Sequence, residues 1–338
     1  MDFSFLKIFL VQVGIFVGAL LISVVTIYFL RPSLLIILLK RYVYWRNGLK
    51  LRYAEHEGYK FCYFFRGKPS LDPSFLMLHG FSLDKDMWLL SIVDFPKDIH
   101  LICVDLPGHG ETTCLPGDSC TALDQAKRLH QFTECIGLNR KPFHLAGISM
   151  GGMVAGVYAA LYPSDVCSLS LLCPAGLRYP TDNEFVRHLK KLEESHKVEG
   201  NNPLLPLNKQ QTKELFKLGA YYQLPLPLQI VNGFLELRLQ DHKFNEKCFL
   251  DLSGGESRYD LHDNMSKIRA PTQIIWGKDD KILDPYGAEI LANAIPNTQV
   301  HLLEKCGHFM PLDWPKETTR LLLDFYKSIC CMKNKKTA

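Results

Sequence analysis

The stretch that decides the fold reads Phe143-His144-Leu145-Ala146-Gly147-Ile148-Ser149-Met150-Gly151-Gly152. Its first six residues are mostly apolar and predict a buried strand, and residues 152–161 are compatible with a helix. The pattern G-x-S-x-G lies between the two. In this setting it predicts a tight strand-to-helix turn that holds Ser149 outward, with glycines on either side because side chains there would clash.

Short apolar runs alternate with helical stretches on both sides of this turn from about residue 60. Several runs are apolar throughout, as expected of strands covered on both faces, which favours an α/β fold with a mostly parallel sheet. The predicted strands are Tyr59 to Phe65, Ser74 to Leu78, His100 to Asp105, Phe143 to Ile148, Ser168 to Cys173, Thr272 to Trp276 and Gln299 to Leu303.

One interval, from Leu177 to Arg269, contains no clear strand. It has helical stretches at Asn183 to His196 and Lys209 to Leu218, followed by a segment rich in proline and leucine at Tyr221 to Leu228. An insertion of about ninety residues far exceeds the usual connection of about 2 to 6 residues and is typical of a lid.

A serine hydroxyl needs a general base, and the base needs a carboxylate that orients it. For this kind of turn the chain order is serine, acid, histidine. His308 follows the strand Gln299 to Leu303 and is the predicted base. Asp279, Asp280 and Asp284 follow the strand Thr272 to Trp276, and spacing alone leaves all three open as the acid.

Acyl transfer also needs backbone N–H groups directed at the developing oxyanion. The residue after the nucleophile, Met150, supplies one from the start of a helix. The second is expected from Phe81, in the His79-Gly80-Phe81 loop after the strand Ser74 to Leu78. His79 itself is predicted to fix this loop. No pattern indicates a metal or a cofactor.

The first 30 residues contain a run of 23 without a charge, from Ile8 to Leu30. A helix of that length is about 34 Å long and spans a bilayer core. The alternative is a cleaved signal peptide, whose apolar region is usually only about 7 to 15 residues long. Only Lys7 precedes the span, whereas several cations follow it, and the positive-inside rule therefore predicts a cytosolic body.

Charge is concentrated just after this span. Residues 31–60 contain seven cations and two carboxylates, a net +5, while the whole chain carries only +4. The near-neutral body argues against a nucleic-acid partner. Aromatic residues among the cations at Tyr42 to Arg46 suit a headgroup layer of anionic lipid, and a helix buried on the body is the alternative. We define the basic collar as Arg31, Lys40, Arg41, Arg46 and Lys50.

Several motifs together resemble the α/β-hydrolase family over about residues 60–330. They are His79-Gly80-Phe81, Asp105-Leu106-Pro107-Gly108-His109-Gly110, Gly147 to Gly152, Gly277-Lys278-Asp279-Asp280 and Gly307-His308. The resemblance implies a mostly parallel central sheet flanked by helices. It also implies an acid at the last position of G-x-x-D, which selects Asp280. The implied catalytic residues are then Ser149, Asp280 and His308.

Within this family the chain resembles the membrane-anchored monoacylglycerol lipases, on the segments Tyr42 to Arg46, Phe61 to Gly67 and Cys306 to His308. That resemblance implies hydrolysis of monoacylglycerols such as 2-arachidonoylglycerol, and of related lysophospholipids, on the cytosolic face of endomembranes such as late endosomes or lysosomes. A serine hydrolase of carbon–carbon bonds, a peptidase and a non-catalytic membrane-anchored scaffold are the alternatives.

These predictions divide the chain into five parts. They are a membrane anchor at 8–30, a juxtamembrane segment at 31–59, a hydrolase core at 60–176 and 270–330, a lid at 177–269 and a basic tail at 331–338.

Overall fold

The computed structural model describes residues 3–194, 202–223 and 225–337. Eight strands form one sheet at its centre. They are β1 (Lys50–His56), β2 (Tyr59–Arg66), β3 (Phe75–Leu78), β4 (Leu101–Val104), β5 (Phe143–Ile148), β6 (Val166–Leu172), β7 (Thr272–Gly277) and β8 (Thr298–Leu303). The seven strands predicted from the sequence are all present, to within two residues at either end.

The strand order is β1-β2-β4-β3-β5-β6-β7-β8. The pairs β1–β2 and β2–β4 are antiparallel, and all other pairs are parallel. The mostly parallel sheet predicted from the sequence is therefore confirmed. Because parallel strands end at the same edge, the loops after β3, β5, β7 and β8 meet there, and this is where open α/β sheets place their sites.

Strand β1 was not predicted, because it lies in the segment assigned to the membrane surface. It pairs with β2 from Lys50 to His56, so the sheet begins about ten residues earlier than expected. Only Ala54 of β1 is buried, and the exposed positions include the charged Lys50, Arg52 and Glu55 as well as Leu51 and Tyr53. Such polarity is normal for an edge strand and conceals the apolar alternation that identifies strands in a sequence.

Thirteen α-helices surround the sheet in the described part of the chain. They are α1 (Phe3–Leu30), α2 (Pro32–Asn47), α3 (Leu89–Ile92), α4 (Ala122–Cys135), α5 (Met150–Leu161), α6 (Glu184–Glu194), α7 (Lys209–Gly219), α8 (Leu228–Gln240), α9 (His242–Ser253), α10 (Asp260–Asn264), α11 (Gly287–Ala294), α12 (Met310–Asp313) and α13 (Pro315–Thr337).

The interval between β6 and β7 contains helices α6 to α10 and, in its described residues, no strand. Helices α6 and α7 match the two predicted stretches, although the predicted end of the first, His196, lies outside the described residues. Leu224, within the segment rich in proline and leucine, also lies outside them. Helices α8 and α9 were not predicted from the sequence.

Helix α1 includes a 27-residue stretch, Ser4–Leu30, with a mean hydropathy of 2.7 and no buried part. Among the described residues it is the one helix long and apolar enough to cross a bilayer. Helix α2 follows after Arg31, with Pro32 in its first turn, and ends at Gly48 in the left-handed conformation.

Helix α2 has two faces with different surroundings, so it is not simply buried on the body. One face packs on the body, where the main-chain oxygen of Pro32 and the side chain of Ile36 approach Gly233 of α8. The opposite face exposes Leu38, Tyr42 and Trp45. A helix with an apolar and aromatic outer face beside cations suits the membrane interface.

One residue of the basic collar does not face outward. Lys40 makes ion pairs with Asp84 (3.1 Å) and Asp86 (2.9 Å). Burial opposes the charge on Lys40, but the two carboxylates outweigh it and raise its pKa. Lys40 therefore ties α2 to the body, and its prediction as a lipid contact is wrong. Arg41 and Arg46 are exposed as predicted.

The predicted basic tail, residues 331–338, does not form a segment distinct from the last helix. Helix α13 continues through it to Thr337, and Ala338 lies outside the described residues.

Candidate active site

Ser149 lies on a strained turn between β5 and α5. Its φ of 55° and ψ of −119° are rare for a residue with a side chain. A Cβ on Gly147 would come within 2.1 Å of the main-chain oxygen of Gly151, and one on Gly151 would come within 2.3 Å of that of His79. Both flanking glycines are therefore required, for the steric reason inferred from the sequence.

His308 and Asp280 are buried side by side at the carboxyl edge of the sheet. The Nδ1–H of His308 donates a hydrogen bond of 2.8 Å to Oδ2 of Asp280. This bond fixes the tautomer of the imidazole and leaves Nε2 free to accept a proton. His308 and Ser149 line the same cavity, so the structure brings together the three residues predicted from the sequence.

The structure also distinguishes the three candidate acids by the contacts that each makes. Asp280 contacts His308, whereas an oxygen of Asp284 accepts from the N–H of Tyr286 and Asp279 is bound through its main chain to Cys306. The second oxygen of Asp280, Oδ1, accepts from the backbone N–H groups of Ile282 (2.8 Å) and Leu283 (3.0 Å). Asp280 is thus the acid that the geometry supports.

A further contact to Asp280 was missed in the sequence. The indole Nε1–H of Trp276 lies 3.2 Å from Oδ2, the same oxygen that accepts from His308. Trp276 is fully buried at the end of β7. A tryptophan in a buried strand indicates a core residue, and nothing in its spacing shows that its N–H reaches the acid.

The loop after β3 passes next to Ser149, and we call residues 79–84 the oxyanion loop. A Cβ on Gly80 would lie 3.7 Å from that of Ser149, in ordinary van der Waals contact. The N–H groups of Phe81 and Met150 donate no hydrogen bond to any residue in the described ranges. Both groups are available to an oxygen near Ser149, which is what an oxyanion hole requires.

His79 holds this loop, as the sequence suggested. Its Nε2 accepts from the N–H of Leu106 (2.9 Å), and its Nδ1–H donates to the main-chain oxygen of Gly80 (2.9 Å). Burial lowers the pKa of His79 to about 4, so the imidazole is neutral at physiological pH. Both ring nitrogens are used by the backbone, and none is left for proton transfer.

One partner of a buried ion pair, Lys85, lies directly after the oxyanion loop in the chain. The Nζ of Lys85 lies 2.7 Å from Oδ2 of Asp105, and the Lys85 N–H donates to Oδ1 (2.7 Å). Burial disfavours the charge on Lys85, but Asp105 and Asp86 together with smaller contributions outweigh it and raise the lysine pKa. Removing either partner would leave an uncompensated buried charge, which is strongly destabilising.

A cavity of about 380 Å³ opens in front of Ser149 and His308. Its size is that of a small-molecule site. Most of its lining is apolar and comes from α2, the oxyanion loop, the insertion between β6 and β7, and the loop after β8; examples are Ile36, Leu83, Phe216, Phe234, Leu237 and Phe309. Its lining also includes five charged residues, Lys40, Asp84, Asp86, Arg238 and Asp241.

Cys173 lies beside His308 and Asp280. The ligand atoms of Cys173, Asp280 and His308 lie within 4.8 Å of one another. Burial raises the pKa of the Cys173 thiol well above its usual value, and metals bind the thiolate. The thiol instead points at the main-chain oxygen of His308 (3.6 Å). This donor set does not fit a metal centre.

Two comparisons with known sequences agree with this geometry. Residues 73–315 match the model of the alpha/beta hydrolase fold. The chain is 50% identical to monoacylglycerol lipase ABHD6 of Mus musculus and 48% identical to the protein of that name in Homo sapiens. Each match extends over 338 residues and covers 99% of both chains.

A solved structure is similar over nearly the whole chain. It is the crystal structure of a membrane phospholipase A, described as a novel bacterial virulence factor, with a TM-score of 0.80 and 28% sequence identity. The match covers 96% of this chain and 99% of the other. The described fold, the family match and the close relatives lead to one conclusion. The chain belongs to the α/β hydrolase fold family.

Proposed function

We propose that this protein is a membrane-anchored monoacylglycerol lipase, which cleaves the ester bond to release a fatty acid and glycerol. The observation that carries this proposal is the meeting of Ser149 with the His308–Asp280 pair in a largely apolar cavity. The names of the close relatives support the same substrate class.

In the proposed mechanism Ser149 attacks the acyl carbonyl while Nε2 of His308 takes the hydroxyl proton. The Asp280 carboxylate stabilises the resulting imidazolium through the 2.8 Å bond to Nδ1. His308 then returns the proton to the leaving glycerol oxygen, and an acyl-enzyme remains on Ser149. Water, deprotonated by His308, attacks the acyl-enzyme. His308 then returns that proton to the Ser149 oxygen as the fatty acid leaves.

We propose that the N–H groups of Phe81 and Met150 stabilise the negative charge on the oxygen of the tetrahedral intermediate. Met150 is the first residue of α5, so its N–H lies at the positive end of the helix dipole. Donors fixed before the reaction stabilise an oxyanion without reorganising, and each is worth about a hundredfold or more in kcat.

The cavity also suggests which head groups are preferred. Its lining contains two cations, Lys40 and Arg238, and three carboxylates, Asp84, Asp86 and Asp241, a formal excess of one negative charge. The Lys40 charge is paired with carboxylates. We therefore propose that neutral glycerol esters are better substrates than lysophospholipids that end in a phosphate monoester, because a dianion would meet net repulsion.

We further propose that residues 177–269 act as the lid. This region contributes Leu204, Phe216, Phe234 and Leu237 to the cavity wall. An apolar cover above a serine nucleophile suits an acyl chain that arrives from a bilayer.

For the membrane arrangement, we propose that α1 is a single-pass anchor and that the body lies in the cytosol, on endomembranes such as late endosomes or lysosomes. More cations follow the span than precede it, although Lys40 is paired within the body. Buried neutral histidines such as His144 also suit a compartment near neutral pH, because acid would have to charge them.

The test of the reaction is a turnover profile across a panel of lipid esters, a vinylogous diketone and a peptide, with Ser149→Ala as the blank. We expect monoacylglycerols to lead the panel and the variant to lose all turnover. A fluorophosphonate should label the wild type and not Ser149→Ala. Preference for the diketone would replace the lipase proposal with a carbon–carbon bond hydrolase, and absence of all turnover and labelling would support a scaffold.

The test of the orientation uses sealed microsomes. Protease added outside should digest residues 60–338, since the body is proposed to lie in the cytosol. Protection of that region would place it in the lumen.

A further inference from the structure

The oxyanion loop contains a strained residue directly after Phe81. Ser82 has a φ of 54°, in the left-handed region that residues other than glycine rarely occupy. Such a conformation persists only where surrounding contacts hold it. Ser82 directly follows Phe81, so contacts that hold Ser82 also restrict the path of the loop that carries the Phe81 N–H.

In the described ranges, the hydrogen bonds to Ser82 come from one side chain of the insertion. Arg238, on α8, donates from Nη1 to the main-chain oxygen of Ser82 (3.0 Å) and from Nη2 to its hydroxyl oxygen. Nη2 also donates to the main-chain oxygen of Leu204 (2.7 Å). One guanidinium therefore links the oxyanion loop to two parts of the insertion.

Arg238 is not explained as half of an ion pair. Among the described residues, no carboxylate lies within ion-pair distance of its guanidinium. Burial lowers the pKa of Arg238 to about 10, with Asp84 opposing the shift, so the group stays charged. A cation lining a mostly apolar cavity is costly unless hydrogen bonds compensate its burial. Here Ser82 and Leu204 accept three hydrogen bonds from the guanidinium.

We propose that Arg238 is a positioning residue that holds Ser82 in its left-handed conformation and thereby aims the Phe81 N–H at the oxyanion. The insertion then does more than cover the cavity, because docking of α8 completes the oxyanion hole. This inference rests on the proposed serine-hydrolase function and adds to it a cavity residue that acts on the oxyanion hole through Ser82.

The test uses the full-length protein in detergent with two substrates, a chromogenic short-chain ester and a monoacylglycerol. Active sites are counted by fluorophosphonate labelling carried to completion, so that misfolded protein does not enter kcat. We expect Arg238→Met to lower kcat per active site between about tenfold and a hundredfold with KM changed less than threefold. Lys243→Met, which removes an exposed cation on the adjacent helix α9, should leave kcat unchanged.

Two further measurements separate positioning from a general structural role. A trifluoromethyl ketone, whose adduct with Ser149 places an oxyanion in the hole, should lose affinity for Arg238→Met by the same factor as kcat/KM. Ser82→Ala, which removes only the hydroxyl contact, should lower kcat alone but have no further effect in the Arg238→Met background.

Several results would overturn the proposal. They are an unchanged kcat per active site in Arg238→Met, a loss confined to the number of titratable sites, or effects of Ser82→Ala and Arg238→Met that multiply in full. If the wild type cleaves the short ester but no monoacylglycerol, only the proposed substrate class fails, and the Arg238 comparison stands on the short ester. If it cleaves neither ester and takes no fluorophosphonate, both proposals fail.

Discussion

The Asp280 carboxylate shows how far single residues could be predicted. Ser149, His308 and a group of three acids followed from chain order and from the ends of strands. The choice among the acids needed a family pattern, and the contact to His308 agrees with it. Trp276 and Arg238 were not predicted, because a contact between side chains distant in sequence leaves no trace in local spacing.

Trp276 supports a prediction about the acid. Trp276→Phe keeps an aromatic ring but removes the N–H that donates to Asp280. This N–H helps hold Oδ2 against Nδ1 of His308, and a small misplacement of a catalytic group can cost about a hundredfold, so kcat per active site should fall about tenfold with KM little changed. Trp88→Phe is the matched control, because Trp88 is equally buried and its indole N–H has no partner among the described residues. A similar loss of kcat in both variants would show that volume, and not the hydrogen bond, matters.

Three buried histidines give a prediction about pH. Burial lowers the pKa of His79 to about 4 and of His109 and His144 to about 3. In the unfolded chain their pKa is about 6.5, so below that pH the unfolded state binds more protons. The free energy of unfolding should therefore be highest above pH 6.5 and fall as the pH drops toward 4, by about 1.4 kcal/mol per pH unit for each histidine.

The contribution of one histidine can be isolated by urea unfolding at several pH values. His144→Gln should reduce the slope of unfolding free energy against pH by about 1.4 kcal/mol per unit between pH 6 and pH 4. His56→Gln, at a more exposed site on β1, is the control. An unchanged slope in His144→Gln would mean that this imidazole is already charged in the folded protein.

At the scale of elements, the parallel strands were predictable because burial on both faces leaves continuous apolar runs. Strand β1 and helix α2 were harder, since each has one face on the body and one face outward. Helices α8 and α9 pack on neighbours distant in sequence, and their partners, among them Pro32 and Ile36, cannot be seen from local pattern.

The packing of α2 on α8 gives a prediction about stability. A Cβ on Gly233 would come within 2.5 Å of the main-chain oxygen of Pro32 and 2.8 Å of Cδ1 of Ile36. Gly233→Val should therefore lower the free energy of unfolding by about 1–3 kcal/mol, measured with guanidinium chloride in detergent. Gly18→Val in α1 is the matched control, since nothing lies within 4 Å of that position. Equal stability of Gly233→Val and the wild type would argue against tight α2–α8 contact.

For the whole molecule, the order of parts along the chain matters more than the average composition. The apolar helix α1 leads directly into α2, and α2 contributes Ile36 and Lys40 to the cavity that holds Ser149. Helix α1 and the candidate active site are therefore joined by a single helix. An overall charge of +4 conceals this arrangement, because the excess lies almost entirely between residues 31 and 60.

The depth of α2 in the membrane can be measured through tryptophan fluorescence. The chain has four tryptophans; Trp88 and Trp276 are fully buried, Trp314 is 37% exposed and Trp45 is 79% exposed. If the outer face of α2 lies in the headgroup layer, lipids brominated near the headgroup should quench Trp45 in the reconstituted protein. Trp45→Phe should then lose most of the quenching, whereas Trp314→Phe should retain it. Quenching that survives in Trp45→Phe would place α2 away from the bilayer surface, with the exposed arginines Arg41 and Arg46 in water.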